Sequence, residues 1–171
     1  KMSNFKSALL RVLKNEGGHV NNPNDRGGET YKGIARKFHP NWSGWLLLDR
    51  MSNKSLDNTL LDEAVELFYL ENFWNTLKCA SVVSDEVAFE LFDTGVNMGV
   101  KGGAKLMQMC AEVTVDGMIG VNSLSAINLI DEELLLLRIK VAKMARRVYL
   151  VENYPQNREF LYGWIRRDLG V

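Results

Sequence analysis

Apolar residues recur at helical spacing along most of the chain. The first stripe follows the i, i+3, i+4, i+7, i+8 pattern of one helix face and consists of Phe5, Ala8, Leu9, Val12 and Leu13. The same periodicity predicts further helices over residues 31–38, 42–48, 58–74, 84–98, 102–113, 122–129, 132–152 and 160–165. The pattern therefore predicts an all-α fold.

Glycines and capping residues predict where these helices begin and end. Gly17-Gly18 should end the first helix, and Gly102-Gly103 should open the helix over residues 102–113. Asn122-Ser123 and Asp131 are expected to cap the helices that follow them. Between the first two helices the chain is polar and rich in turn-forming residues, so we expect a loop with a short irregular hairpin around Val20.

Composition excludes several classes of function. The chain has 171 residues with 21 basic and 21 acidic side chains, and this balance argues against nucleic acid as a partner. No apolar run is long enough to cross a bilayer, so we expect no membrane insertion. The N-terminus lacks the apolar block of a signal peptide, which predicts synthesis in the cytoplasm and, for any action outside it, delivery by another factor.

The cysteines and histidines do not predict a metal or redox site. Cys79 and Cys110 lie far apart among apolar neighbours, as small core residues do. His19 and His39 are not accompanied by the other ligands that a metal ion needs. We therefore expect no cofactor.

Glu16 follows the first predicted helix directly and precedes two glycines. It can be a solvated helix-end residue. It can also be a general acid, because the negative end of the helix dipole disfavours the charged form of a carboxylate there. The two glycines after it would let a bulky substrate approach the backbone closely.

Asp25 and Thr30 follow Glu16 at intervals of nine and five residues. Taken singly, Asp25 fits a tight turn and Thr30 fits an N-cap for the helix predicted from Tyr31. Taken together, the three side chains offer an acid and polar groups that can hold a water. Hydrolysis of a glycosidic bond needs such a set.

The run from Glu16 to Ile34 resembles the signature of glycoside hydrolase family 108, E-G-G-Y-x-N-x-P-x-D-x-G-G-x-T-x-x-G-I. His19 replaces the usual Tyr, and an imidazole can still stack on a sugar. Residues 92–99, Phe-Asp-Thr-Gly-Val-Asn-Met-Gly, are similar to the family's F-D-x-x-V-N-x-G, and Gly163–Arg167 matches its terminal G-W-x-x-R. The resemblance therefore covers nearly the whole chain.

A further run, residues 115–126, resembles the D-G-x-x-G-x-x-T-x-x-A motif of peptidoglycan-binding domains. Val121 and Ser123 stand where that motif usually has Pro and Thr. The run also fits a simple capped turn that serves only as scaffold. Both interpretations remain open from the sequence.

Family 108 contains lysozyme-like muramidases of bacteria and phages, and some members are called secretion activator proteins. The resemblance implies a lysozyme-like helical fold, with a catalytic region at residues 1–80 and a peptidoglycan-binding-like helical lobe at residues 81–171, packed as one unit. It implies cleavage of the β-1,4 bond between N-acetylmuramic acid and N-acetylglucosamine. The alternative function is a non-catalytic peptidoglycan-binding or secretion-related module.

The resemblance also implies roles for individual residues. Glu16 would be the general acid, with Asp25 and Thr30 as further catalytic residues. His19, Tyr31 and Asn97 would bind the substrate, the peptidoglycan glycan strands. Asn97 can instead be structural, because it shares a helix face with Asp93 four residues earlier.

The implied substrate also suggests where the protein acts. We expect its action in the periplasm or cell wall, with a holin or other export factor as a partner.

Overall fold

The computed structural model describes residues 4–14, 18–21, 28–51 and 58–170. The chain divides into two compact units. The N-terminal unit is Phe5–Asn75, and the C-terminal unit comprises Thr76–Val171 with Lys1–Asn4. The predicted assignment of residues 1–80 and 81–171 to catalytic and binding regions stays a prediction.

The N-terminal unit combines helices with a small antiparallel sheet of strand order β1-β2-β3. Its elements are α1 (Phe5–Leu13), β1 (His19–Asn21), β2 (Glu29–Tyr31), β3 (Ile34–Ala35), α2 (Gly44–Met51) and α3 (Asn58–Tyr69), with a π-helical turn at Leu70–Trp74. The apolar stripe of α1 buries Ala8, Leu9 and Val12, as its spacing predicts. Phe5 meets the ring of Trp74 edge-on at 5.4 Å.

The helix predicted over residues 31–38 is wrong. Tyr31 ends β2 and pairs with Ile34, the first residue of β3. Between them Lys32 and Gly33 have φ angles of 44° and 82°. Two consecutive positive φ angles make the two-residue hairpin turn that joins twisted strands, and they cannot continue a right-handed helix. Thr30 therefore lies inside a strand and caps no helix.

The C-terminal unit consists of helices joined by turns, with no strand in its described part. Its helices are α4 (Asp85–Met98), α5 (Val100–Cys110), α6 (Val121–Leu129), α7 (Glu132–Asn153) and α8 (Leu161–Leu169), with 3₁₀ turns at Cys79–Ser81 and Pro155–Phe160. Asp131 caps α7 as predicted, since its side chain accepts a hydrogen bond of 3.0 Å from the Leu134 backbone N–H.

Helices α4 and α5 approach closely at a pair of glycines. The predicted opening of a helix at Gly102-Gly103 is wrong, because α5 already begins at Val100 after Gly99, whose φ is 78°. A Cβ atom on Gly103 would lie 2.7 Å from the Cα and N atoms of Gly95 in α4. The missing side chains of Gly95 and Gly103 therefore allow the backbones of α4 and α5 to approach closely.

We expect Gly103→Ala to lower the free energy of unfolding by about 1–3 kcal/mol, the usual cost of overpacking a tight contact. Gly163→Ala in α8 is the matched control, because a Cβ there meets nothing within 4 Å. The control should be neutral or stabilise by up to about 1 kcal/mol through helix propensity. Urea denaturation of both variants measures the difference. Equal effects would show that the glycine contact does not constrain packing.

A buried ion network ties α4, α7 and α8 together. Lys143 of α7 is 3% exposed and donates to Glu90 at 2.5 Å and to Asp93 at 3.2 Å. Arg167 of α8 donates to the other Asp93 oxygen at 3.0 Å. Burial alone would lower the pKa of Lys143, but the Glu90 and Asp93 carboxylates outweigh it and raise this pKa above its ordinary value.

The predicted mostly helical fold, with a short hairpin after the first helix, is confirmed. Within the described residues, no helix combines the length and the apolarity that crossing a bilayer requires.

Candidate active site

Two of the predicted catalytic residues, Glu16 and Asp25, lie outside the described residues. The structure describes the residues on both sides of Glu16, up to Lys14 and again from Gly18. Lys14 follows the end of α1, and the Gly18 carbonyl accepts a hydrogen bond of 3.3 Å from the backbone N–H of Lys32 in the hairpin turn. The described part of the candidate site is therefore the sheet whose first strand, β1, begins three residues after Glu16.

His19 and Tyr31, two predicted substrate-binding residues, lie side by side on the sheet. They are paired across β1 and β2, and their rings meet edge-on at 6.1 Å. Side chains alternate along a strand, so Glu29 shares this face of β2 with Tyr31. The His19 Nε2 atom lies 2.9 Å from the Glu29 Oε1 atom. We call His19, Glu29 and Tyr31 the polar sheet face.

Thr30 does not join the polar sheet face. It is paired with Val20 of β1 and Ala35 of β3, and its position between Glu29 and Tyr31 turns its side chain to the opposite face. Its hydroxyl donates weakly to the Gly28 carbonyl at 3.4 Å. A catalytic role of Thr30 would therefore use the other face of the sheet from His19 and Tyr31.

The sequence interpretation missed the residues that hold Glu29. Arg36 donates to the second Glu29 oxygen at 2.9 Å and to both oxygens of Asp49 at 2.7 Å. Its guanidinium also lies 4.7 Å from the centre of the Trp45 ring. Glu29 occupies an unspecified position of the family motif. Strand alternation next to Tyr31 would have indicated it, but the predicted helix from Tyr31 hid this signal. These contacts fix the Glu29 carboxylate and, through it, the imidazole of His19.

Two aromatic residues, Trp42 and Tyr69, hold Tyr31 and the hairpin turn next to it. The Tyr31 ring stacks on Trp42 with 6.2 Å between centroids and 24° between planes. The Tyr69 hydroxyl donates to the Lys32 carbonyl at 2.8 Å and so holds the hairpin turn beside Tyr31. A ring held in this way is suited to stack on a pyranose.

Asn97, the third predicted substrate-binding residue, lies in α4 of the C-terminal unit. Its Nδ2 atom donates to the Asp93 carbonyl at 2.7 Å and to the Asp93 Oδ1 atom at 3.2 Å. Asp93 itself pairs with Lys143 and Arg167. This geometry fits a structural role for Asp93. In it, the Nδ2 atom of Asn97 is already used as a donor to Asp93.

The D-G-x-x-G run is organised by Gln108, which is 1% exposed. Its Nε2 atom lies 2.8 Å from an Asp116 carboxylate oxygen, 3.0 Å from the Met118 carbonyl oxygen and 3.1 Å from the Ser123 hydroxyl oxygen, so its two N–H groups are shared among three acceptors. Its Oε1 atom accepts from the Gly117 N–H at 2.8 Å.

This arrangement gives Asp116, Gly117 and Ser123 of the run a structural role. The hydrogen bond from Gln108, together with the Met118 N–H, lowers the pKa of the Asp116 carboxyl below its ordinary value. Ser123 lies inside the first turn of α6, which begins at Val121, so the predicted Asn122-Ser123 cap is wrong. The geometry favours the structural interpretation of this turn.

The described residues provide no obvious metal centre. No three or more His, Cys, Asp and Glu side chains cluster there as ligands. Cys79 and Cys110 are buried free thiols, and burial raises the pKa of both, that of Cys110 to about 11. They are core residues, as their apolar neighbours in the sequence predict.

Comparison with known proteins places the chain. The family model described as glycosyl hydrolase 108 matches residues 9–99, and a model described as a predicted peptidoglycan domain matches residues 104–169. A solved structure, that of SagA from Brucella abortus, is similar in fold, with a TM-score of 0.66 at 22% identity over 97% of this chain and 94% of that chain. No curated protein matches. The motif-based prediction is confirmed, and the chain belongs to the glycosyl hydrolase 108 family.

Proposed function

We propose that this protein is a muramidase that cleaves the β-1,4 bond between N-acetylmuramic acid and N-acetylglucosamine in peptidoglycan. The observation that carries this proposal is the match of residues 9–99 to a glycosyl hydrolase family, since this range contains the run from Glu16 to Ile34. The predicted peptidoglycan domain at residues 104–169 supports the same polymer as substrate.

In the proposed mechanism Glu16 protonates the glycosidic oxygen as the bond breaks. Asp25 and Thr30 activate or orient the water. If the two carboxyl groups stand about 6.5–9.5 Å apart, the configuration at the sugar is inverted, and a separation of about 5–5.5 Å gives retention.

The polar sheet face would receive the sugar. Tyr31, supported by Trp42, offers a flat surface, and His19 is fixed by the carboxylate of Glu29. In the C-terminal unit, considered by itself, Asn97 would bind the glycan strand through its Oδ1 atom, which can accept a hydrogen bond from an N-acetyl amide, because its Nδ2 atom already donates to Asp93.

The proposed substrate fixes the place of action. We propose that the protein works in the periplasm or cell wall, where the polymer lies, and reaches it with the help of a holin or other export factor. The C-terminal unit would contact the polymer during cleavage.

Release of reducing ends from purified insoluble peptidoglycan tests whether the protein is an enzyme. The proposal predicts new reducing ends and a fall in turbidity of chloroform-permeabilised Gram-negative cells. A non-catalytic binding module would sediment with the polymer and release nothing, which would contradict the proposal.

A further inference from the structure

A cavity of about 450 Å³ lies in the N-terminal unit, between the turn that precedes α2 and the helical segment formed by α3 and its π-helical turn. The turn contributes residues 38–43 to the lining. The helical segment contributes residues 64, 67, 68, 71 and 72, which follow the i, i+3, i+4, i+7, i+8 spacing of one helix face. Both segments lie in continuously described parts of the chain. The volume is that of a pocket for a small organic ligand.

Hydrogen bonds hold the turn in place against the helix. The Trp45 Nε1 atom donates to the His39 carbonyl at 2.7 Å, and the Trp42 Nε1 atom donates to the Ala64 carbonyl of α3 at 3.2 Å. A Cβ atom on Gly44 would lie 2.2 Å from the nearest ring atom of Trp42, so the missing side chain lets the indole lie against the start of α2. This wall of the cavity is therefore preformed, and a ligand does not have to order it.

Aromatic side chains contribute much of the lining. His39 and Trp42 both meet the ring of Phe68 edge-on, at 4.7 Å and 6.3 Å between centroids. Phe38 is 68% exposed, so its ring is accessible to a ligand. The Lys37 ammonium lies 5.9 Å from the centre of that ring, at the outer limit of a cation–π contact. Aromatic surfaces of this kind suit the apolar C–H face of a pyranose.

Two polar side chains of the lining, Glu71 and Asn72, lie on the π-helical turn. Such turns are rare and are frequently found at functional sites. The Asn72 Nδ2 atom donates to the Phe68 carbonyl at 2.8 Å, so its Oδ1 atom is the part of this amide that can accept a hydrogen bond from a ligand. A carboxylate and an amide oxygen can accept from the hydroxyl and N-acetyl N–H groups of a sugar.

The cavity adjoins the polar sheet face through Trp42. This indole lines the cavity, and the ring of Tyr31 stacks on it with 6.2 Å between the centroids. The two surfaces therefore share one aromatic residue, and linked sugars of a single strand can span both.

We propose that this cavity is a further glycan-binding subsite, which holds one N-acetylated sugar of the same strand that lies on Tyr31. The inference rests on the proposed function, which supplies the strand. The C–H face of the pyranose would lie against Phe38 and Trp42. Its hydroxyl and N-acetyl groups would donate to Glu71 and Asn72. The combination of aromatic and hydrogen-bonding side chains favours a sugar over a purely apolar ligand.

The test measures binding of two uncharged probes, the disaccharide and the hexasaccharide of β-1,4-linked N-acetylglucosamine, by isothermal titration calorimetry. The whole chain carries Glu16→Gln, so that the probes are not cleaved during the titration. We expect the hexasaccharide to bind at least about tenfold more tightly than the disaccharide, because one strand then occupies both surfaces. Adding Phe38→Ala should raise the Kd of the hexasaccharide about three- to tenfold through loss of one stacking ring.

The matched control is Leu46→Ala, which truncates a side chain of the same unit that is 63% exposed and does not line the cavity. It should keep the parent Kd for both probes, and circular dichroism checks that both variants keep their helical content. An unchanged hexasaccharide Kd in Phe38→Ala would overturn the subsite. Equal Kd values for the two probes in the parent would overturn the occupation of both surfaces by one strand.

These outcomes are separate from those of the proposed function. Cleavage of peptidoglycan by the wild-type protein, together with a hexasaccharide Kd that Phe38→Ala does not change, would overturn the subsite alone. Absence of cleavage by the wild-type protein would overturn the muramidase proposal, and the titrations would still decide whether the cavity binds sugar, because they involve no turnover.

Discussion

The Glu16→Gln variant is expected to lose nearly all hydrolytic activity on peptidoglycan while remaining folded. An amide has the shape of the carboxylic acid but cannot give a proton to the leaving oxygen. A general acid typically contributes about 10²–10⁴-fold to the rate, and we expect a loss at the upper end because a sugar alkoxide leaves poorly without protonation. Reducing-end release measures the rate, and circular dichroism checks the helical content.

The matched control for this variant is Glu133→Gln, which makes the same chemical change at an exposed position in the first turn of α7. It should keep wild-type activity. Full activity in Glu16→Gln would show that this carboxylate is not the acid, whatever the substrate proves to be. Loss of activity together with loss of helical signal would call for Glu16→Asp, which keeps the charge, shortens the side chain and should also fail to cleave.

The Asp93→Ala variant is expected to lower the free energy of unfolding by about 3–5 kcal/mol, the usual cost of removing one partner from a buried ion pair. Asp93 accepts from both Lys143 and Arg167, so its removal leaves Arg167 without this carboxylate and Lys143 with Glu90 alone. Urea denaturation measures the loss. Glu152→Ala, which removes an exposed carboxylate of the same unit, should change stability by less than about 0.5 kcal/mol.

The Asp93 network also predicts a pH dependence. The pKa of Lys143 is raised in the folded protein, so its stabilising contribution is complete below about pH 10.4, the ordinary value for lysine, and disappears as the pH rises through the folded value. The difference in the free energy of unfolding between wild type and Asp93→Ala should therefore narrow at strongly alkaline pH. If wild type and Asp93→Ala differed in the free energy of unfolding by less than about 1 kcal/mol at neutral pH, the network would contribute little to stability.

Apolar spacing and capping residues predicted the helices well where interactions between neighbouring residues determine the structure. Leu135 and Ile139 follow helical spacing and are buried, and Asp131 caps α7 as its side chain suggests. Lys143 and Arg147 of the same helix are buried as well, which their chemistry does not suggest. Their partners, Asp93 and Asp168, lie 50 and 21 residues away, and no local pattern encodes such a pairing.

The hairpin shows where helical spacing misleads. Ile34 is fully buried, and its spacing from Tyr31 fits a helix as well as a tight turn. The deciding feature is the Lys32-Gly33 pair, which takes two positive φ angles. One glycine is a weak turn signal beside a periodic run of apolar residues, so the apolar pattern favoured a helix here.

The candidate site was predictable in part. The pairing of His19 with Tyr31 follows once β1 and β2 are recognised, and the separation of Thr30 from them follows from the alternation of side chains. The support of Glu29 by Arg36 and Asp49 depends on the packing of α2 beside the sheet, which the sequence does not reveal. The family motif marks the segment that we propose carries the chemistry, and the fold shows which residues hold Glu29 and His19 in place.

Mass analysis of the fragments released from purified peptidoglycan, after reduction of their new ends, tests the central claim most directly. Our account predicts that every new reducing end is N-acetylmuramic acid, reduced to its alditol. Fragments that end in reduced N-acetylglucosamine, or a cut within the stem peptide, would contradict it.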